Sequence, residues 1–399
     1  MKKINPTVKI FIALVLGLIC AFVFKEKCAV LEPIGTIFLN LIKMLVIPLV
    51  MCSIITSVTG MKDINKLGRV GGRMLGLYCI TTAGAAAVGL ALAKISHLGE
   101  GVVLTGETGE IMESTLSIGS LLINMFPSNI FESMANFQTL PCIVFSILFG
   151  VAMIFVGPTA EPVERVLRSA TQILYKMVAL VMKLAPSGCF ALIASGIGQN
   201  GSEILGALAK MVVLTYVGCF LYMIILTALA VTLGGIPIKE FLPRAFRVFA
   251  TAFTSRSSAA TLPTTITMAE ELGVSPEIAE FSLPIGCTIN MNGAALGLAL
   301  KTMLAAFIFG RILSPSEWII AILVCTLSGI GMPGVPNSGT VFNIFMFSTL
   351  GFPQGALIGM FAGVENLEDM VQTALNVFGD LTCSTILNRS EMKHAAKNA

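Results

Sequence analysis

Charge is scarce in this 399-residue chain: Asp, Glu, Lys and Arg together make up 12% of it, against 55% apolar residues. Soluble domains carry roughly 25% charged residues, so a water-soluble globular protein is excluded. The net charge of +3 comes from lysines and arginines in short clusters between apolar stretches, with no basic face, and this argues against nucleic acid as a partner. Histidine is nearly missing, since only His97 and His394 occur, one in a loop and one in a tail. With no GxSxG motif and no His-rich metal spacing, the chain lacks the constellation an enzyme would need. Its ten cysteines never form a CxxC pair or a compact framework, which leaves them the role of small apolar packing residues.

What is present is long apolar runs. A bilayer core of about 30 Å needs roughly 20 apolar residues per helix. Runs of that size fall at about 8–26, 33–60, 74–96, 117–157, 168–198 and 206–235, and Pro127 and Pro141 are expected to break the fourth. Lys2 and Lys3 precede the first run as in a signal peptide, but Phe22-Val23-Phe24-Lys25 replaces the small-residue cleavage site, so a retained first helix is expected. Lys62, Lys66, Arg69 and Arg73 form the strongest basic loop, and basic loops lie on the cytoplasmic side. Lys239, Arg244 and Arg247 after the sixth run, and Arg389, Lys393 and Lys397 near the end, agree with cytoplasmic termini. The segment 97–116, with Glu100, Glu107, Glu110 and Glu113, then lies outside. A multi-pass protein of the cell inner membrane is expected.

Residues 240–385 read differently, because Gly, Pro, Ser and Asn interrupt their apolar segments where they should span. The stretch Thr254 to Pro263 and the stretch Ser328 to Gly339 each look like a hairpin tip that enters the membrane and returns. Such a tip survives only where protein or a water-lined cavity satisfies its backbone, and paired broken segments point to a transporter's midplane site. Each is followed by a helix with its own polar interruption, Asn290-Met291-Asn292-Gly293 and then Asp369 to Asp380, a weak internal repeat. In the last helix Asp369, Gln372, Thr373, Asn376 and Asp380 recur at spacings that place most of them on one face, which must look away from lipid. A carboxylate there needs a cation, whether an ion, a substrate ammonium or a side chain.

The SRSSAATLP hairpin, the NMNG break, the GMPGVP hairpin and the DMVQTALNVFGD helix together resemble the glutamate-transporter-homologue family, the dicarboxylate/amino acid:cation symporters. LIKMLVIP at Leu41 to Pro48 and APSGCFALIA at Ala185 to Ala194 extend the resemblance over nearly the whole chain. It implies an all-α integral membrane fold of eight transmembrane helices and two re-entrant hairpins, assembled as a homotrimer among membrane lipids. Scaffold helices would occupy 1–73 and 117–200. A mobile transport domain, built from 74–116 and 201–399, would carry substrate by an elevator-like movement.

By the same resemblance Asp369 meets the substrate ammonium, Ser258 and Asn376 its α-carboxylate, and Arg256, Ser257, Gly334, Val335, Gln372 and Thr373 complete the substrate site. Sodium ions would be held in three sets. Gly286, Asn290, Asn376 and Asp380 make the first. Backbone groups of Thr288, Gly329 and Met332 make the second. Tyr78, Thr81, Thr82, Asn290 and Asn292 make the third. Arg256 is expected to form a salt bridge with Glu365 that tunes gating.

Four departures bear on substrate and coupling. Gln372 stands where acidic-amino-acid members carry an arginine, and Ala294 where a threonine assists it, so the bidentate clamp for a side-chain carboxylate is missing. Asn292 stands in place of an aspartate at the third sodium set, keeping an oxygen but losing the charge. Lys301 lies in an apolar helix where no lysine is expected from the resemblance. Its long stem would let it snorkel to the outer interface, the favoured expectation, and the alternative is an ammonium that replaces a lost sodium. Leu298 replaces the glutamate of potassium-coupled members, so no potassium antiport of that type is expected. Together these point to a sodium-driven symporter for a small neutral or polar amino acid. The alternative is an acidic amino acid or C4-dicarboxylate symporter, sodium- or proton-coupled; Asp369 disfavours the C4-dicarboxylate, because an acid there repels a second carboxylate.

Overall fold

The structure is a computed structural model and describes residues 6–60, 70–100, 102, 123, 125–136, 138–181, 183–200, 203–332, 338–352 and 356–398. Every regular element among them is helical. The first helices are α1 (Pro6–Phe24), α2 (Glu32–Thr59) and α3 (Gly72–Ile95), each close to an apolar run read from the sequence. The fourth run becomes a short α4 (Ile130–Ala135) and α5 (Thr139–Val156). Pro127 lies outside both, whereas Pro141 does not break a helix but sits in the first turn of α5, where its missing N–H has no intrahelical partner to lose.

The fifth run is two helices, α6 (Glu161–Val181) and α7 (Ala185–Asn200), interrupted around Lys183, with Pro186 in the first turn of α7. The sixth is one helix, α8 (Glu203–Thr232). Ile12, Leu16, Ile19 and Val23 of α1 and Val213, Val217, Phe220 and Ile224 of α8 are exposed large apolar residues. An outer surface of this kind suits hydrocarbon and not water. Five helical stretches, Val15–Thr59, Gly72–Ile95, Pro141–Val181, Ile204–Thr232 and Pro276–Ile308, are long and apolar enough to cross a membrane. The basic loop at Lys62, Lys66 and Arg69 and most of the acidic segment 97–116 lie outside the described residues.

The last third is built of helices that stop and restart. α9 (Ile238–Ser255) and α10 (Ser258–Glu271) are separated by Arg256 and Ser257 alone. Arg256 makes the turn possible by adopting a left-handed backbone, φ 52° and ψ 33°, while its N–H still caps Ala252 O at 2.8 Å. Ser257 then accepts from Ala260 N and starts α10. α11 (Pro276–Ile289) and α12 (Asn292–Ile308) follow one another with a break at Asn290 and Met291. α13 (Pro315–Gly331) opens with a capping box in which Ser314 and Glu317 satisfy each other's backbone N–H, and α14 (Ser338–Leu350) follows it. The tip between them, residues 333–337 with Gly334 and Val335, lies outside the described residues.

α15 (Ala356–Asn398) corrects one expectation: the polar run from Asp369 to Asp380 does not interrupt it, and it continues for 43 residues. Its polar side chains follow helical spacing and are buried against protein, so no backbone bond has to break to hide them. α12 is buried from Asn292 to Ala306 without exception. The core therefore lies where α12 and α15 run together, surrounded by α3, α8, α11 and the paired helices.

Candidate functional site

Two glycines bring α12 onto α15. A side chain at Gly293 would collide with the Gln372 backbone, and one at Gly297 with the Gln372 side-chain amide. Gln372 is consequently packed in the interior, and its Nε2 has no hydrogen-bond partner there. One turn on, Asn376 Oδ1 accepts from Gly293 N at 2.7 Å, and its Nδ2 lies 3.2 Å from Met291 Sδ. Asn376 thus holds the α11/α12 break against α15.

Asp369 faces the tip between α9 and α10. Thr373 Oγ1 donates to Asp369 Oδ1 at 3.2 Å, and Arg256 Nη1 is 4.0 Å from Asp369 Oδ2. The Arg256 guanidinium also donates to Asn366 Oδ1. This corrects the expected Arg256–Glu365 salt bridge: Glu365 is taken by another cation, and Asn366 and Asp369 hold Arg256 in its place. Ser258 is buried at the start of α10, and its carbonyl accepts from Cys287 Sγ at 3.5 Å. The α10 N-terminus, Ser257, Ser258, Arg256 and Asp369 are in this way brought to one place. An ammonium can meet the Asp369 carboxylate there, and a carboxylate the N-terminal backbone N–H groups.

Lower on α15, Asp380 is 1% exposed. Asn290 Nδ2 donates to its Oδ1 at 2.9 Å, while Oδ2 has no hydrogen-bond partner. Gly286 is bare for a reason: a Cβ there would come within 2.6 Å of Asp380 Oδ1 and 3.1 Å of Tyr78 Oη. Thr81 Oγ1 donates to Asn290 Oδ1 at 3.1 Å, and Thr82 Oγ1 to Asn292 Oδ1 at 3.0 Å. Tyr78, Thr81, Thr82, Gly286, Asn290, Asn292 and Asp380 therefore form one connected cluster, in which Asn290 joins residues of the first and third expected sets. All partners of the carboxylate are neutral, and several offer oxygen, the donor that hard cations such as sodium prefer.

The second set is less closely drawn together. Gly329 lies beside Met291 and Thr82, and Met332 closes α13 with its N–H on Gly329 O at 3.3 Å. Thr288 donates to Ile285 O within its own helix at 3.1 Å.

Lys301 overturns the favoured expectation made for it: it is 1% exposed, so it does not snorkel. Its Nζ is 2.6 Å from Glu365 Oε2 and 3.0 Å from Glu368 Oε2. The reason is geometric: α12 is enclosed by protein along its length, which leaves the stem no route to the interface. Glu368, Thr215, Asn343 and Asn366 were not singled out in the sequence. The usable signal was Lys301 itself, since a lysine in an apolar helix requires an acid on a facing one.

The ten cysteines are all free, and most are buried, in keeping with packing. The profile of the sodium:dicarboxylate symporter family matches residues 7–390. The chain belongs to that family. It is 32% identical to the proton/sodium-glutamate symport protein of Bacillus caldotenax, over 98% of this chain and 96% of the relative. The proton/glutamate-aspartate symporter of Escherichia coli (strain K12) is 30% identical over 92% and 87%, respectively. The C4-dicarboxylate transport protein of Bacillus subtilis (strain 168) is 26% identical over 97% and 94%. Membership makes the chain a multi-pass membrane symporter and not an enzyme, as its lack of catalytic residues suggested.

Proposed function

We propose that this symporter couples the uptake of an amino acid to a cation. The observation that carries the reading is the pairing on α15 of Asp369, set against the α10 N-terminus, with Asp380, whose second oxygen has only neutral surroundings. Asp369 takes the substrate ammonium. Ser258, the tip N–H groups and Asn376 take the α-carboxylate, with Arg256, Ser257, Gln372 and Thr373 around it and Gly334 and Val335 closing from the second tip. Sodium is the ion proposed for Asp380, Asn290, Asn376 and Gly286; Thr288, Gly329 and Met332 supply a second set, and Tyr78, Thr81, Thr82, Asn290 and Asn292 a third. Closure of the second hairpin would complete substrate and ion sites together, so that neither crosses alone. Homotrimeric assembly, the division into scaffold and transport domains, the elevator movement and inner-membrane placement with cytoplasmic termini belong to the same proposal.

Anionic substrates are those that the names of the relatives support best, glutamate and aspartate ahead of C4-dicarboxylates because Asp369 repels a carboxylate in the ammonium's place. On this reading the unpartnered Gln372 Nε2 donates to the side-chain carboxylate. One observation favours a small neutral or polar amino acid: Gln372 is an amide where a guanidinium clamp would make charge-assisted bonds worth about 1.5–3 kcal/mol each. Uptake of labelled aspartate and serine into proteoliposomes, with and without an inward sodium gradient, separates the readings. Sodium-driven aspartate uptake supports the first and sodium-driven serine uptake the second. Uptake of either that ignores sodium removes the proposed ion.

A further inference from the structure

We infer that Glu368 binds a proton that crosses the membrane with the substrate, so that this carrier has a proton site of its own apart from the cluster at Asp380. Lys301, Glu365 and Glu368 are 1%, 1% and 0% exposed, respectively. Fully ionised, they leave one uncompensated negative charge inside the membrane domain, a costly state. Lys301 is nearest Glu365, which also accepts from Asn343 Nδ2 at 3.2 Å. That pair is balanced, and the surplus charge falls on Glu368.

The surroundings of Glu368 show where a proton fits. Thr215 Oγ1 is 2.7 Å from Glu368 Oε1 and 3.0 Å from Met211 O. Thr215 donates to Glu368 Oε1, and the Met211 carbonyl, which an α-helix already pairs with the N–H four residues on, does not need the hydroxyl. Thr215 is neutral, so its bond does not offset the surplus charge, whereas a proton on the Glu368 carboxyl group does and leaves Thr215 as its partner. Among the described residues around it, Lys301 on α12 is the one cation, 3.0 Å from Oε2 and shared with Glu365, while Tyr216 and Cys219 on α8 and Glu365 on its own helix supply no positive charge. Arg256 is engaged by Asn366 and Asp369.

The position links the proton to transport. Glu368 adjoins Asp369 in the chain, and Glu365 is one turn away and touches α14, the return arm behind the second tip, through Asn343. Opening that arm toward one face exposes the cluster to the water from which the proton is taken, and opening toward the other releases it.

The inference rests on the symporter reading, and two measurements keep the failures apart. In proteoliposomes at fixed sodium, an acid-outside pH gradient should raise accumulation by the native protein. Glu368→Gln, a mimic of the protonated acid, should lose that gain while still exchanging internal for external substrate. A native protein indifferent to the gradient, or a variant that keeps the gain, overturns the inference. Infrared spectra of the purified protein need no substrate. A protonated carboxyl stretch should be present at neutral pH, be lost in Glu368→Gln and shift in Thr215→Val, which removes its hydrogen-bond partner. Absence of that band in the native protein overturns the inference even if no variant inserts properly, whereas a band without any amino acid exchange counts against the substrate reading alone.

Discussion

Two acidic clusters on α15 differ in how they are balanced. Glu365 and Glu368 have a cation built in, since Lys301 reaches both from α12. Asp380, 12 residues after Glu368 in the chain, has none: amides and hydroxyls surround it, and one of its oxygens has no hydrogen-bond partner. A buried carboxylate with a cation of its own, as Glu365 has in Lys301, is satisfied within the protein, while one with neutral partners depends on a cation from outside. The same helix therefore contains a cluster whose one lysine answers one of two acids, leaving the other as the inferred proton site, and a cluster that has no cation of its own. On the proposed reading, the second is where the driving ion enters.

The comparison breaks most completely at Asp380. Asp380→Asn removes the only carboxylate of its cluster and should abolish the sodium dependence of uptake, read as loss of sodium-driven accumulation in proteoliposomes. Serine or aspartate uptake that still follows the sodium gradient in this variant would place the ion elsewhere.

Next in size is Lys301→Met. Glu365 would then be buried beside Glu368 without its cation, a loss of about 3–5 kcal/mol by the precedent of broken buried pairs. Thermal unfolding in detergent should show it, and Glu365→Gln in the same chain should recover part of the loss. A variant as stable as the native protein would mean that Glu365 too is neutral or finds another partner. The smallest effect is expected at Asn292→Asp, which adds a charge beside Thr82 and near Asp380. Apparent sodium affinity should tighten by roughly tenfold, about 1.4 kcal/mol, in a titration of uptake against sodium.

Much of this molecule is legible in its residues, though unevenly. The runs that became α1, α2, α3 and α8 announce themselves, because a helix that faces lipid must be apolar over its whole span. The break between α6 and α7 is harder to read, since Lys183 and Pro186 interrupt a run whose composition stays apolar on both sides. The tip at Arg256 and the break at Asn290 can be found from polar residues in the wrong place. The same signal misleads at Asp369 to Asp380, where polar residues at helical spacing line a continuous helix packed against protein. Lys301 shows the limit most directly: its stem length fits an interfacial lysine, and only the enclosure of α12 shows that the interface is out of reach. Asn290, Asn292, Thr81, Thr82 and Asp380 lie in one cluster, whereas the Arg256 and Glu365 partners were exchanged because each found a nearer counterpart.

The unbroken course of α15 has an evolutionary consequence. At about 100° of rotation per residue, one residue inserted between Asp369 and Asp380 would turn everything beyond it to a different neighbour, whatever the inserted residue was. Substitutions along this helix can retune substrate and ion one position at a time. Insertions and deletions cannot, so descendants of this chain are free to vary the lettering of α15 but are bound to its length.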